Sequence, residues 1–348
     1  MPYLDIDGRR IGPAYPPYVI AELSANHNGR LETALRLVDE AKKAGADAVK
    51  LQTYTPDTMT LNTTAEEFRI RGGPWDGQTL YELYAQAHLP WEWHPAIFAH
   101  CRRVGITVFS SPFDRSAIDL LQGLGVPAYK IASFEVVDLP LIAYAAQQGK
   151  PLILSTGLAD AQEIADAVHT AREAGCGQLA LLHCVSGYPA PPEDYNLRTI
   201  PDLSERFGLV TGLSDHTLDT AVAVASVGLG ARVIEKHFTL DRGGGGPDDS
   251  FSLEPAEFAR LCRDVRTAWQ ALGKVDYGLK SSERGNALFR RSLYFVKDLR
   301  RGEQVSEDAI RSIRPGFGLA PKYFKDVVGR QVTQDLRAGT AVSWALLA

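Results

Sequence analysis

Two histidines stand at the ends of neighbouring apolar runs. His216 follows Leu209–Leu213 through Ser214 and Asp215, and His237 lies at the end of Val233–Phe238. Two imidazoles on adjacent strand ends can share a divalent ion and leave positions open for water or substrate. Lys50 and Lys130 end two other runs, with Ser111, Ser133 and Ser214 on related ones. Two cations plus hydroxyls suit a phosphate and a carboxylate. Glu22 and Glu135 end runs as well, and either carboxylate can pair with a lysine buried beside it. A lysine inside a barrel can also act as a Schiff-base nucleophile. A metal-free aldolase of that kind is therefore a second reading, although it has no need of paired histidines. A sugar-binding barrel without catalysis is a third.

These residues need elements that bring them to one face. Apolar runs recur at Tyr18–Leu23, Ala48–Gln52, Thr107–Ser110, Tyr129–Ala132, Leu152–Ser155, Leu179–Cys184, Leu209–Leu213 and Val233–Phe238. Helix-like spacing separates them, as in Leu31–Ala44, Trp91–Val104, Glu163–Ala174 and Thr217–Val227, and Pro255–Leu272 follows the last. Eight alternating units favour a closed (β/α)₈ barrel over a doubly wound open sheet. Chemistry then gathers at the C-terminal ends of the strands. Residues i and i+2 share a face of a strand. Lys50 with Gln52, Ser214 with His216, and Glu235 with His237 therefore point inward together, and Lys236 points toward the helices as a structural residue. His88, His94, His100 and His169 are expected at the surface. The loop Arg242–Asp249 is too glycine-rich to be rigid and carries Asp248. The Leu61–Leu89 insert, with Trp75, is expected to form a lid or wall over one mouth.

The chain has 348 residues and a barrel takes roughly 250, so about a quarter remains to be explained. The polar, glycine-rich stretch 273–285 reads as a linker between a barrel over 1–272 and a small domain over 286–348. Lys+Arg 37 against Asp+Glu 42 gives a net charge of −5, which argues against nucleic-acid binding. No apolar run approaches the ~20 residues of a membrane helix, and no signal peptide is visible in the polar N-terminus. Cys101, Cys176, Cys184 and Cys262 form no CxxC pair and are expected to be reduced, in a cytoplasmic protein.

The segments IAELSANHNG (20–29), KLQTYTPDTMTLN (50–62), PWEWHP (90–95), SSPFD (110–114), YKIASFE (129–135), GLSDHT (212–217) and EKHFTLDR (235–242) together resemble the sialic acid synthase family. They look most like its pseudaminic acid synthase branch. The resemblance implies a (β/α)₈ barrel followed by a small antifreeze-like (SAF) domain, in a domain-swapped homodimer. It implies condensation of phosphoenolpyruvate with an N-acetylated amino-sugar aldehyde, by C–O cleavage and release of phosphate. It also implies a divalent ion (Mn²⁺, Mg²⁺ or Co²⁺) on His216 and His237, with Glu235 orienting those ligands. Lys50, Lys130, Ser111, Ser133, Ser186 and Ser214 match phosphoenolpyruvate positions. Glu22, Gln52, Tyr188, Asp248 and Arg314 resemble sugar-side residues. Glu135 matches the position that activates water, and Glu22, Lys50 and Lys130 count with it as catalytic. Two departures from the sialic acid branch, Ser24 in place of Gly and Ser186 in place of Asn, fit the pseudaminic branch.

Overall fold

The structure is a computed structural model. It describes residues 3–348, which divide into two compact units meeting between Gly273 and Lys274. In the first unit, β1 (Leu4–Ile6) and β2 (Arg9–Ile11) form an antiparallel hairpin. Its turn, Asp7-Gly8, has φ of 55° and 76°, the left-handed pair that a two-residue hairpin turn requires. Leu4, Ile6 and Ile11 are fully buried in the barrel's apolar cluster. Asp5 N–H donates to Gln178 Oε1 (2.5 Å), and the Asp7 carboxylate accepts from Thr107 (3.0 Å). Both partners stand at or before strand starts, so the hairpin plugs the N-terminal end of the barrel. The sequence reading saw only a polar N-terminus there.

Eight parallel strands close on themselves: β3 (Tyr18–Glu22), β4 (Ala48–Thr53), β5 (Thr107–Pro112), β6 (Tyr129–Ile131), β7 (Leu152–Ser155), β8 (Leu179–Cys184), β9 (Val210–Asp215) and β10 (Val233–His237). Strand β10 pairs with β3, in a register that sets His237 beside Glu22. Glu22 in turn lies beside Lys50, and Gln52 beside Ser111. This register carries the polar strand ends to one mouth, as the run pattern implies. The interior is tightly filled: a Cβ at Gly212 would lie 2.3 Å from the Val233 carbonyl oxygen.

The flanking helices follow the apolar spacing. Leu31–Ala44 buries Ala34, Leu37, Val38, Ala41 and Ala44 along one stripe and ends on Gly45 in the left-handed cap conformation. Ala161–Glu173 starts at an Asp160/Glu163 capping box. Two histidines depart from the surface expectation. His94 is wholly buried and its Nε2 lies 2.8 Å from Thr53 Oγ1. His100 is buried with its Nε2 2.7 Å from Asp39. Each lies on the inner face of Trp91–Val104, where a local polar partner offsets desolvation. Lys236 does turn outward from the barrel, into a closed set of acceptors: Asp215 (2.8 Å), the Thr217 carbonyl (2.5 Å) and the Asp219 carbonyl (2.9 Å).

The second unit has its own small core, in which Leu293, Phe295 and Val342 are fully buried. Strand β11 (Ser292–Phe295) pairs antiparallel with β12 (Ile310–Ile313). The stretch read as a linker is not featureless, because a 3₁₀ segment over Ser281–Phe289 begins inside it. All four cysteines are buried and free. Among the described residues no helix is long and apolar enough to cross a membrane.

Candidate active site

At the C-terminal mouth of the barrel, four strand-end residues form a buried ionic floor. Lys50 Nζ lies 2.6 Å from Glu22 Oε2, 3.3 Å from Ser111 Oγ and 3.8 Å from Glu235 Oε1. Lys130 Nζ approaches the same Glu235 oxygen at 3.7 Å, and Ser214 Oγ donates to it at 3.0 Å. Burial opposes ionisation of Glu235, but Lys130 and Lys50 outweigh it and hold the carboxyl below its usual range. Burial pulls Lys130 below the usual lysine range, with Glu235 partly restoring it. Burial pushes Glu22 up, and Lys50 offsets only part of that. The two lysines thus share one firmly ionised carboxylate, Glu22 is the nearer partner of Lys50, and an incoming anion would meet two ammonium groups on one floor. Glu235 was expected to orient the histidines. It hydrogen-bonds to neither among the described residues, and its place is between the lysines.

The histidine pair sits beside this floor with ring centroids 5.4 Å apart. His216 Nδ1–H donates to the Val185 carbonyl at 2.8 Å, which leaves the Nε2 lone pair available. His237 is kept neutral by burial, with His216 and Lys50 adding to the effect, and its Nδ1 is enclosed without a hydrogen-bond partner. Burial opposes a proton on His216, but Cys184 and the Val185 carbonyl outweigh it, so a divalent ion shared with neutral His237 would displace that proton. The described residues offer no cluster of three or more His, Cys, Asp or Glu ligands, so the remaining positions would fall to water and substrate. Tyr188 covers His216, ring centroid to ring centroid 4.4 Å.

Above the floor opens a cavity of about 440 Å³. Its polar lining includes Gln52, Glu135, Ser186, His237 and Asp248, and its apolar lining includes Ile70, Trp75, Leu80 and Leu83. These four apolar residues come from the insert, which is therefore a wall. Helix Leu80–Ala87 is fixed by a Thr79/Glu82 capping box, and Trp75 Nε1–H donates to the Pro247 carbonyl (3.0 Å). That bond also corrects the reading of Arg242–Asp249 as a loose loop. Asp249 Oδ2 accepts from Gly246 N–H (2.8 Å) and Asn28 Nδ2 (3.0 Å), and a Cβ at Gly246 would strike the Asn28 amide. The glycines there serve close packing, and the loop holds Asp248 in place.

Glu135 follows β6 in a short 3₁₀ turn. Its Oε2 is enclosed without a hydrogen-bond partner, and burial pushes the carboxyl up to about 7 despite nearby Lys130. A carboxylate balanced near neutrality suits proton transfer. Ser133 Oγ donates to Cys184 Sγ (3.3 Å), and Ser186 Oγ lies 4.0 Å from the same sulfur. Sequence reasoning missed Gly157, whose missing Cβ makes room for these serines: it would lie 2.4 Å from Ser186 Oγ and 2.8 Å from Ser133 Oγ. The structure thus brings the barrel residues assigned to the site from sequence to one mouth. Arg314, exposed just after β12, belongs to the second unit.

The NeuB family profile matches residues 37–277, and the SAF domain profile matches 290–348. The chain is 45% identical over 325 residues to the pseudaminic acid synthase of Campylobacter jejuni subsp. jejuni serotype O:2, covering 93% of this chain and 95% of that protein. It is 43% identical over 330 residues to the pseudaminic acid synthase of Helicobacter pylori, covering 94% and 97%. The crystal structure of an N-acetylneuraminic acid (sialic acid) synthetase from Leptospira borgpetersenii, in complex with citrate, matches with a TM-score of 0.73 and 32% identity, covering 82% of this chain and 94% of that one. Closed barrel, ionic floor and chain-wide similarity converge: the chain belongs to the NeuB family, that of the sialic acid synthases.

Proposed function

We propose that the chain condenses phosphoenolpyruvate with 2,4-diacetamido-2,4,6-trideoxy-altrose to give pseudaminic acid and phosphate. The observation that carries this reading is the gathering of Lys50 and Lys130 about Glu235, set beside the histidine pair under one cavity. The lysines, with Ser111, Ser133, Ser186 and Ser214, hold the phosphate and carboxylate of phosphoenolpyruvate. A divalent ion (Mn²⁺, Mg²⁺ or Co²⁺) on His216 and His237 supplies Lewis-acid polarisation of a carbonyl oxygen when bound. Gln52, Asp248, Tyr188 and Glu22 orient the sugar aldehyde so that its carbon meets C3 of the enol. Glu135 takes a proton from the water that adds to C2, and phosphate then leaves by C–O cleavage. Arg314 contacts the sugar from the partner subunit of a domain-swapped homodimer, in the cytoplasm.

The apolar residues of the insert, Ile70, Trp75, Leu80 and Leu83, suit a deoxy sugar with acetamido methyl groups. The test is phosphate release from phosphoenolpyruvate with Mn²⁺ and each candidate aldehyde. Release with the altrose sugar supports the reading. Release with only N-acetylmannosamine, or only the legionaminic precursor, assigns the chain to a sialic or legionaminic acid synthase. Full activity in chelator, with a borohydride-trapped lysine adduct, overturns it for a Schiff-base aldolase. Arg314→Ala should raise the sugar KM far more than the phosphoenolpyruvate KM, and sedimentation should find a dimer.

A further inference from the structure

Ser24 lies in the turn after β3, is 6% exposed, and has φ of +42°. Side chains with a Cβ rarely adopt that left-handed conformation, and glycine adopts it freely. A serine there bears backbone strain that glycine would avoid, so its hydroxyl is the feature to account for.

Counting donors shows what that is. Ser24 Oγ carries one proton, and it goes to Asp248 Oδ2. Gln52 Nε2 carries two: one goes to Ser24 Oγ (3.0 Å) and the other to Glu22 Oε1 (3.0 Å). With two acceptors on its nitrogen side, the Gln52 carboxamide has a single consistent orientation. Its carbonyl oxygen is then the polar atom left for the cavity, which Gln52 lines together with Asp248. Burial raises the Asp248 carboxyl and the Ser24 hydroxyl offsets part of that; in the ionised form held by Ser24, Oδ1 remains as an acceptor. The chain Asp248–Ser24–Gln52–Glu22–Lys50 thus ties the loop over the cavity to the ionic floor.

We propose that Ser24 is a positioning residue for substrate selection: its hydroxyl locks Asp248 and Gln52 so that both present acceptors to a sugar O–H or acetamido N–H. This rests on the function proposed above and extends it to a residue that never touches the reacting atoms. A sugar derivative lacking the donor leaves two buried acceptors unpaired and is rejected for that reason.

The experiment is steady-state kinetics of Ser24→Gly and Ser24→Ala, varying each substrate separately, with thermal melting of both variants. Each should raise the sugar KM about tenfold, the scale of a lost buried hydrogen bond. The phosphoenolpyruvate KM should stay within about twofold. Ser24→Gly should melt no lower than Ser24→Ala, because glycine relieves the left-handed backbone. In the double variant Ser24→Gly/Asp248→Asn, the sugar KM should rise no further than in Asp248→Asn alone, since both changes break one unit. An unchanged sugar KM, an equal rise in both KM values, or additive effects overturn the assignment. Absence of phosphate release by the wild type with every candidate sugar overturns the proposed function instead. Wild-type turnover with an unaffected Ser24→Gly overturns the role of Ser24 alone.

Discussion

Glu135→Gln should make the protein less active, and should favour its stability more at high pH than at low. The Glu135 carboxyl is raised from about 4.5 to about 7 by burial. A raised carboxylate favours the protonated folded state. Its contribution is therefore fully present below the unfolded value near 4.5 and is lost as pH rises through about 7. Every tenfold change in proton affinity is worth about 1.4 kcal/mol, so the ionised residue costs the fold about 3 kcal/mol at pH 8 and about 1 kcal/mol at pH 5. Glutamine cannot ionise and removes that cost, whatever fixed effect its amide adds. Urea unfolding of wild type and variant at both pH values should show the variant gaining about 2 kcal/mol more at pH 8 than at pH 5. Phosphate release at pH 8 should fall by about 10²–10⁴-fold, the range for loss of a general base. In the wild type, kcat/KM should rise with pH up to about 7 and then level off. A stability difference equal at the two pH values would refute the assigned burial. Unimpaired turnover would remove Glu135 from proton transfer.

Gly157→Ala should push the Ser133 and Ser186 hydroxyls aside and raise the phosphoenolpyruvate KM about tenfold, with the sugar KM little changed. Equal effects on both would show that the crowding is relieved elsewhere. Exhaustive chelation should abolish phosphate release and Mn²⁺, Co²⁺ or Mg²⁺ should restore it, while His237→Ala should bind phosphoenolpyruvate yet fail to respond to metal. Full activity after chelation would count against the two-histidine site. Lys236→Met should destabilise the barrel by about 3–5 kcal/mol in chemical denaturation, because it strands the buried Asp215. A loss below about 1 kcal/mol would mean that water enters to replace the ammonium.

The barrel and its reactive mouth were legible in the sequence because both follow period-two and period-3.6 patterns. Strand parity alone turned Lys50, Gln52, Ser214, Glu235 and His237 inward and Lys236 outward. What escaped depends on backbone angles and on neighbours remote in sequence. Asp7-Gly8 between Leu4-Asp5-Ile6 and Ile11 carried a hairpin signal, yet polarity masked it. His94 and His100 were misread because their partners, Thr53 and Asp39, are 41 and 61 positions away. The glycine-rich loop looked slack because its anchors, Asn28 and Trp75, lie in other segments. Arg314 had no signal of its own beyond the family resemblance.

The filled interior of the barrel has a kinetic meaning. With its core packed through and Leu4, Ile6 and Ile11 covering the far end, the barrel is a vessel with a single door. Lys50 lies deeper along β4 than Gln52, so whatever binds the lysines occupies the back of the vessel. Cargo in a blind passage must queue: the ligand held at the back enters first, and its remnant leaves last. The hydrolytic water must also be aboard before the sugar shuts the door. Packing at the far end from the chemistry therefore sets the order of binding, and product-inhibition patterns should record it.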